Sequence, residues 1–319
     1  MKKFICTLCI TTVMILFFAF PALANSFDKS LVPADAQWVL HVDMSLYKQT
    51  QLKKLMAEKN IPFLMENEAD DFFKETNIKL QEDITSFTIF GTKKGEKDVV
   101  LVCTGNFDGS RLLAYIAKKQ SLKKERYNRF DIHEAGQRHF LVFPGKNLFF
   151  YSSNHEALKK ALDVLDRKKK DISAATLMNY INMIPANAFL MAAANDVSAI
   201  DGPSSRAGAI LANTGMATFM VMEKNTSLQL NILLNTLNTQ TAQNIEQIIK
   251  GLIAVGSMQK QAGKQNGKEE LFKLLNAIKI NKDGNTLRLS LDYPTAALVE
   301  LMAKKNHHSN GHKTHSRNH

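Results

Sequence analysis

The sequence predicts an α+β protein made of two tandem related domains, each an antiparallel sheet with helices packed on one face. Three observations lead there. The segment Val32-Pro33-Ala34-Asp35-Ala36-Gln37-Trp38-Val39 returns as Ile184-Pro185-Ala186-Asn187-Ala188-Phe189-Leu190-Met191, and a unit that recurs in this way implies two copies of one design. Short apolar runs separated by turn residues imply hairpins, hence antiparallel pairing. Segments with apolar residues at helical spacing fall in the same order in both copies, so helices complete each sheet.

In the first copy, Gln37 to Met44 reads as a strand after a Pro-led turn. Ser45 to Lys59 reads as one helix with Leu46, Leu52, Leu55 and Met56 on its apolar side. Ile84 to Thr92 and Lys97 to Thr104 form a hairpin around Lys93-Lys94-Gly95-Glu96. Asp108 caps a helix that runs to Lys119 with Leu112, Leu113, Ile116 and Ala117 inward. Strands follow over Arg129 to His133, His139 to Phe143 and Asn147 to Ser152, and Asn154 opens a helix through Leu158, Leu162 and Leu165.

The second copy repeats this order. Phe189 to Asn195 is its first strand, followed by a short irregular helical region to Asn213 and a hairpin of Met216 to Met222 with Ser227 to Leu234. Thr239 caps a helix carrying Ile245, Ile248, Ile249, Leu252 and Ile253. A polar insert spans Gly256 to Glu270. Ala277 to Asn281 and Thr286 to Leu291 are then joined by Asp283-Gly284, a hairpin signal, and Pro294 starts the last helix. Between the copies, Ser86-Phe87 aligns with Thr218-Phe219 and Ala135-Gly136 with Asp283-Gly284. The apolar stretch Ala207 to Met222 is interrupted by Asn213-Thr214-Gly215 and reads as core rather than as a membrane span.

The expected boundaries are a signal peptide over 1–24, a first α+β copy over 25–170, a second over 171–305 and a disordered His-rich basic tail over 306–319. Lys2 and Lys3, the apolar run Phe4 to Phe20 and the ending Ala22-Leu23-Ala24 have the form of a cleaved secretory leader. The expected location is therefore periplasmic or secreted, and the mature chain is not an integral membrane protein. Cys6 and Cys9 leave with the leader. Cys103 remains in an apolar strand, so no internal disulfide forms and the thiol is structural. The formal net charge is +11, with the basic surplus in Lys118 to Arg129, in Arg167-Lys168-Lys169-Lys170 and in the tail. An exported basic protein has no nucleic acid to meet; anionic envelope components, or another envelope protein, are the expected partners.

Two groups of residues could carry chemistry. His41 and Asp43 lie two apart on the first strand and share a face, so the carboxylate could orient the imidazole as a general base. The second copy has Ala193 and Asn195 there, and an Asp or Asn at that position serves equally well to cap the following turn. The other group is His307, His308, His312, His315 and His319 of the tail, imidazoles close enough to capture Zn, Ni or Cu without a preformed fold. His133 and His139, beside the turn Glu134 to Arg138, are expected on opposite faces of a tight hairpin and hence are not a metal pair. No Gly-rich phosphate loop, zinc-spaced Cys pair, Gly-x-Ser-x-Gly or His-Glu-x-x-His occurs.

The opening Pro33-Ala34-Asp35-Ala36-Gln37-Trp38-Val39-Leu40-His41-Val42-Asp43 resembles that of a group of uncharacterised secreted bacterial proteins, which share its Pro-Ala-Asp-Ala turn and Trp-Val-x-His-x-Asp strand. The resemblance implies an exported α+β protein and supplies no catalytic residues. The functional expectation is a non-enzymatic binding or scaffolding protein of the cell envelope that needs no cofactor. The alternatives are metal binding by the tail, and a hydrolase or isomerase that uses His41 with Asp43.

Overall fold

A computed structural model describes residues 27–61, 75–92, 98–195, 197, 214–261 and 269–311. The leader, the loop Lys93 to Glu96, most of the helical region expected up to Asn213, residues 262–268 of the polar insert and the tail beyond Gly311 lie outside them. Among the described residues, twelve strands form one sheet in the order β11-β12-β10-β9-β8-β1-β2-β3-β7-β6-β5-β4, and every neighbouring pair is antiparallel. The α+β class therefore holds, and the sheets of the two halves, which the sequence leaves either separate or joined, form one. No described helix is long and apolar enough to cross a membrane.

The sheet is continuous because the two recurring openings pair with each other. β1 (Trp38–Asp43) lies antiparallel to β8 (Leu190–Ala194), with Trp38 opposite Ala194 and Val42 opposite Leu190. Asp43 N donates to Phe189 O and Asn195 N donates to Gln37 O, both at 2.8 Å, so the ladder is closed at each end by corresponding residues. The Pro-Ala signature has a shared local cause as well. Ala36 N donates to Pro33 O and Ala188 N to Pro185 O, each at 3.1 Å, and the two alanines are buried. Each is a β-turn that delivers the chain into its strand.

Outward from this seam, one side reads β2 (Ile84–Gly91), β3 (Val99–Gly105), β7 (Leu148–Ser152), β6 (His139–Gly145), β5 (Phe130–Ala135) and β4 (Leu122–Tyr127). The other reads β9 (Thr214–Lys224), β10 (Ser227–Thr236), β12 (Thr286–Pro294) and β11 (Lys279–Asp283). Leu40 pairs with Ile89, and its aligned Ala192 pairs with Phe219. Phe219 thus corresponds to Ile89, and the sequence alignment of Phe87 with Phe219 is two residues out of register, a slip that keeps the same face inward. Gly136 and Gly284 hold φ of 58° and 55°, which suits glycine at both turns, but the sheet order sets β12 and β11 against β7 and β6, so the expected match of Ala135-Gly136 with Asp283-Gly284 does not hold. Trp38 lies across from Gly91, where an added Cβ would come within 2.7 Å of the indole ring.

Helices cover both faces, contrary to the one-face expectation, because the central strands are apolar on both sides. α1 (Met44–Lys48) and α2 (Gln51–Glu58) replace the single helix expected over Ser45 to Lys59, since Thr50 ends the first and caps the second through Lys53 N. These two helices and α9 (Thr295–Gly311) pack on one face with Val42, Cys103, Phe189, Val221 and Leu228. α3 (Leu80–Asp83) is a single turn before β2, and α4 (Gly109–Lys119) leads from β3 toward β4. On the opposite face, α5 (His155–Leu165) and α6 (Leu177–Ile181) cover Val39, Phe90, Val102, Phe150, Met191 and Ala193. Ile172, Leu177 and Ile181, placed by sequence in the second copy, thus belong to a core that is mostly first-half. α7 (Thr239–Gln261) seats Ile245 against Leu234 and Leu287 and runs on into the expected polar insert, where α8 (Glu269–Asn276) also forms.

β4 is unforeseen. Leu122-Lys123-Lys124-Glu125-Arg126-Tyr127 has no apolar alternation because it is an edge strand, and its charges guard that edge against pairing with other chains.

The halves are also locked through side chains. Glu223, at the end of β9, accepts hydrogen bonds from Gln51 N, from Leu52 N at 3.1 Å and from Thr295 Oγ1 at 2.8 Å. One second-half carboxylate thus caps α2 of the first half and holds the start of α9. Glu223→Ala is expected to lower stability by about 2 kcal/mol, because charge-assisted bonds to otherwise unsatisfied helix amides are lost. Hydrogen exchange should rise in α2 and α9 together; faster exchange in only one of them would show that the latch does not couple the halves.

Candidate functional site

His41 and Asp43 project from the same face of β1, as alternation requires, but that face is covered. The His41 side chain is 0% exposed; its Nδ1 lies 2.8 Å from Thr88 Oγ1 on β2, and the Phe27 ring meets it edge-on at 5.4 Å. Burial pushes the imidazole pKa down to about 4, against a smaller opposing pull from Asp43. The ring is therefore neutral at ordinary pH. Asp43 is 2% exposed, and its Oδ1 accepts from Leu46 N at 2.8 Å, which makes it the N-cap of α1. The pair reads as a core imidazole and a helix cap, both side chains being buried.

Only the beginning of the His-rich tail falls among the described residues. α9 extends to Gly311, so Asn306 to Gly311, expected as disordered, is helical and carries His307 and His308 in its last turns. His312, His315 and His319 lie outside the described residues. No group of three or more His, Cys, Asp or Glu placed to hold a metal occurs among the described residues. His133 and His139 share a face after all. The turn between β5 and β6 has three residues, with Ala135 opposite His139 and His133 opposite Leu141 in place of the expected Arg138, an odd shift that brings the two imidazoles to one face. They still make no pair: His139 stacks on Tyr151 with Nδ1 2.8 Å from its hydroxyl. Cys103 is buried, and desolvation lifts its thiol to about 12, far from a nucleophile.

The site that does form is an open cleft of about 840 Å³ on the α2 face of the first half, a volume ordinary for a small-molecule pocket. Four separated segments line it: Thr76 to Ile78 with Asp83, the β3–α4 connection from Asn106 into α4, β5 at Asp131 and His133, and β6 with its turn from Phe143 to Asn147. Backbone bonds fix the frame. Asn106 N donates to Asp83 O at 2.7 Å and Gly105 N to Asn147 O at 3.1 Å. An added Cβ on Gly109 would come within 2.7 Å of the Phe143 ring, so glycine there lets the start of α4 sit directly on that aromatic.

The cleft floor is aromatic. Phe107 meets Phe143 and Phe149 edge-on at 6.4 Å, and Phe143 lies 5.0 Å from Phe149. Its acids already have partners. Asp83 Oδ2 accepts from Lys79 N, and Asp108 Oδ1 accepts from Ser110 N and Arg111 N. Asp131 is held down to about 2 by hydrogen bonds from Lys124 and then Arg126. Burial, with Lys124 nearby, lowers the His133 pKa, so it presents a neutral ring to the cleft. Sequence reading identified Asp108 as a cap and the inward Leu113, but no motif joins segments this far apart.

The buried imidazole makes stability depend on pH with a definite sign. A folded-state pKa of about 4 lies below the unfolded value of 6.5, so the unfolded chain binds the extra proton and stability falls as pH drops from 6.5 through 4. The full effect is on the order of 3 kcal/mol. Urea unfolding at pH 7 and pH 4.5 should show a smaller acid loss for His41→Gln than for the parent chain; equal losses would mean that His41 does not titrate in this way.

No protein-family model matches the sequence, and no curated protein does. Among solved structures, crystal form III of TP0453 aligns with a TM-score of 0.49 at 9% identity, covering 88% of this chain and 99% of that one. Crystal form I of TP0453 gives 0.47 at 11% identity, over 88% and 98%.

Proposed function

We propose that the chain is an exported binding protein of the cell envelope, that its two halves descend from one repeated unit, and that it works without turnover by holding a small molecule in the cleft between α4 and β5–β7. The observation that carries this reading is the cleft itself. Its aromatic floor and convergent polar rim form a recognition surface, whereas the His41–Asp43 pair lies inside the core. Location in the envelope rests on the leader-like Met1 to Ala24. The halves are framed by hydrogen-bonded strands and shared cores, which suits a rigid carrier of a preformed site.

Leu113, half-buried on α4, lines the cleft and can be used to close it. In native mass spectrometry of the chain recovered from the envelope of its expressing cells, the parent should carry a small-molecule adduct. Leu113→Trp, if its circular dichroism is unchanged, should lose at least about nine-tenths of it, since the indole fills the site. An adduct retained undiminished by Leu113→Trp, or none on either protein, would remove the cleft from this role.

A further inference from the structure

The charges around the cleft discriminate between ligands, an inference that rests on the cleft being the binding site. Asp83, Asp108 and Asp131 are each engaged by partners from their own surroundings, as described above. Asp108 also takes the Ser110 and Arg111 amides at the start of α4, which leaves that helix end fewer donors for a ligand. The cations are less committed. Lys146, on the β6–β7 turn, is exposed and has no ion pair or hydrogen bond among the described residues. Among the described residues the Arg111 guanidinium has only a long contact to Asp108, Nε to Oδ2 at 3.6 Å, which leaves most of its donors uncommitted there.

We infer that the cleft takes a small anionic ligand with a flat apolar body, the body lying on Phe107 and Phe143 and the anionic group meeting Lys146 and Arg111. The chemistry is consistent at each end. Aromatic faces accept a planar apolar group in offset or edge-on contact, and a guanidinium and an ammonium lining one cleft suit a carboxylate, sulfonate or phosphate. A cationic ligand would be repelled by Lys146, which has no ion pair among the described residues, and by Arg111, paired only at 3.6 Å with Asp108, while a neutral one would leave both unused. Both cations are solvent-exposed, so the attraction is moderate and screened by salt.

The probe pair 1-anilinonaphthalene-8-sulfonate and neutral N-phenyl-1-naphthylamine separates the two levels of the argument. In fluorescence titrations of the full chain, the sulfonate should bind more tightly than the neutral dye. The double variant Lys146→Ala/Arg111→Ala should weaken sulfonate binding about three- to tenfold and leave the neutral dye unchanged, and raising salt toward 0.5 M should shrink that difference. Leu113→Trp should abolish binding of both. If both dyes bind, Leu113→Trp blocks both and the double variant affects neither, the anionic preference is wrong while the cleft stands. If neither dye binds, or Leu113→Trp has no effect on their binding, the cleft reading itself fails.

Discussion

The antiparallel pairing of β1 with β8 is the contact on which the rest of the structure depends. It turns two half-sheets, each of which would otherwise expose a central strand as an edge, into a single ladder with its edges moved outward to β4 and β11. Both outer strands are charged and short, with Lys123, Lys124 and Arg126 on one and Lys279, Lys282 and Asp283 on the other. The seam is covered on both faces and is apolar apart from His41 and Asp43. The cost of ordering so many residues is offset where cores are shared, and both main cores contain residues from each half: Met191 and Ala193 beside Leu158 on one face, Val221 and Val299 beside Tyr47 on the other.

That arrangement explains the position of the polar residues of β1. An alternating strand with one polar face ordinarily puts that face in water, and His41 and Asp43 then read as reactive. In a sheet sandwiched by α1 and α2 on one side and α5 and α6 on the other, both faces are inside, and a polar side chain is retained only with a partner. Thr88 serves His41 and the amide of Leu46 serves Asp43. The cleft forms farther out, where the first half adds β4 and β5 beyond the strands that have counterparts across the seam. There, α4 meets the sheet mainly at its N-terminal end, through Gly109 on Phe143.

Much of the element order was legible in the sequence, because Pro33 and Pro185 open equivalent turns and because caps such as Asp108, Asn154 and Thr50 have recognisable neighbours. Thr50 is the least legible of these, because the apolar pattern runs through the break that it makes. β4 and α8 were missed for opposite reasons: an edge strand needs no apolar alternation, and a short amphipathic helix was hidden in a polar stretch. The joining of the sheets had a signal that went unused. Leu190-Met191-Ala192-Ala193-Ala194 is apolar at every position, as befits a strand buried on both faces. The cleft was not legible, since its lining is assembled from Thr76, Asp108, His133 and Lys146 by tertiary contacts that no local pattern encodes.

Trp38, the chain's single tryptophan, lies in the seam, opposite Gly91 on one side and Ala194 on the other, and so reports on the contact that joins the halves. Equilibrium urea unfolding of the chain, followed in parallel by Trp38 fluorescence and far-ultraviolet circular dichroism, tests that contact directly. A single transition with coincident midpoints is predicted, because the shared cores leave neither half a stable fold of its own. Two steps, with Trp38 released while a large part of the dichroism persists, would contradict it and show two domains that merely touch.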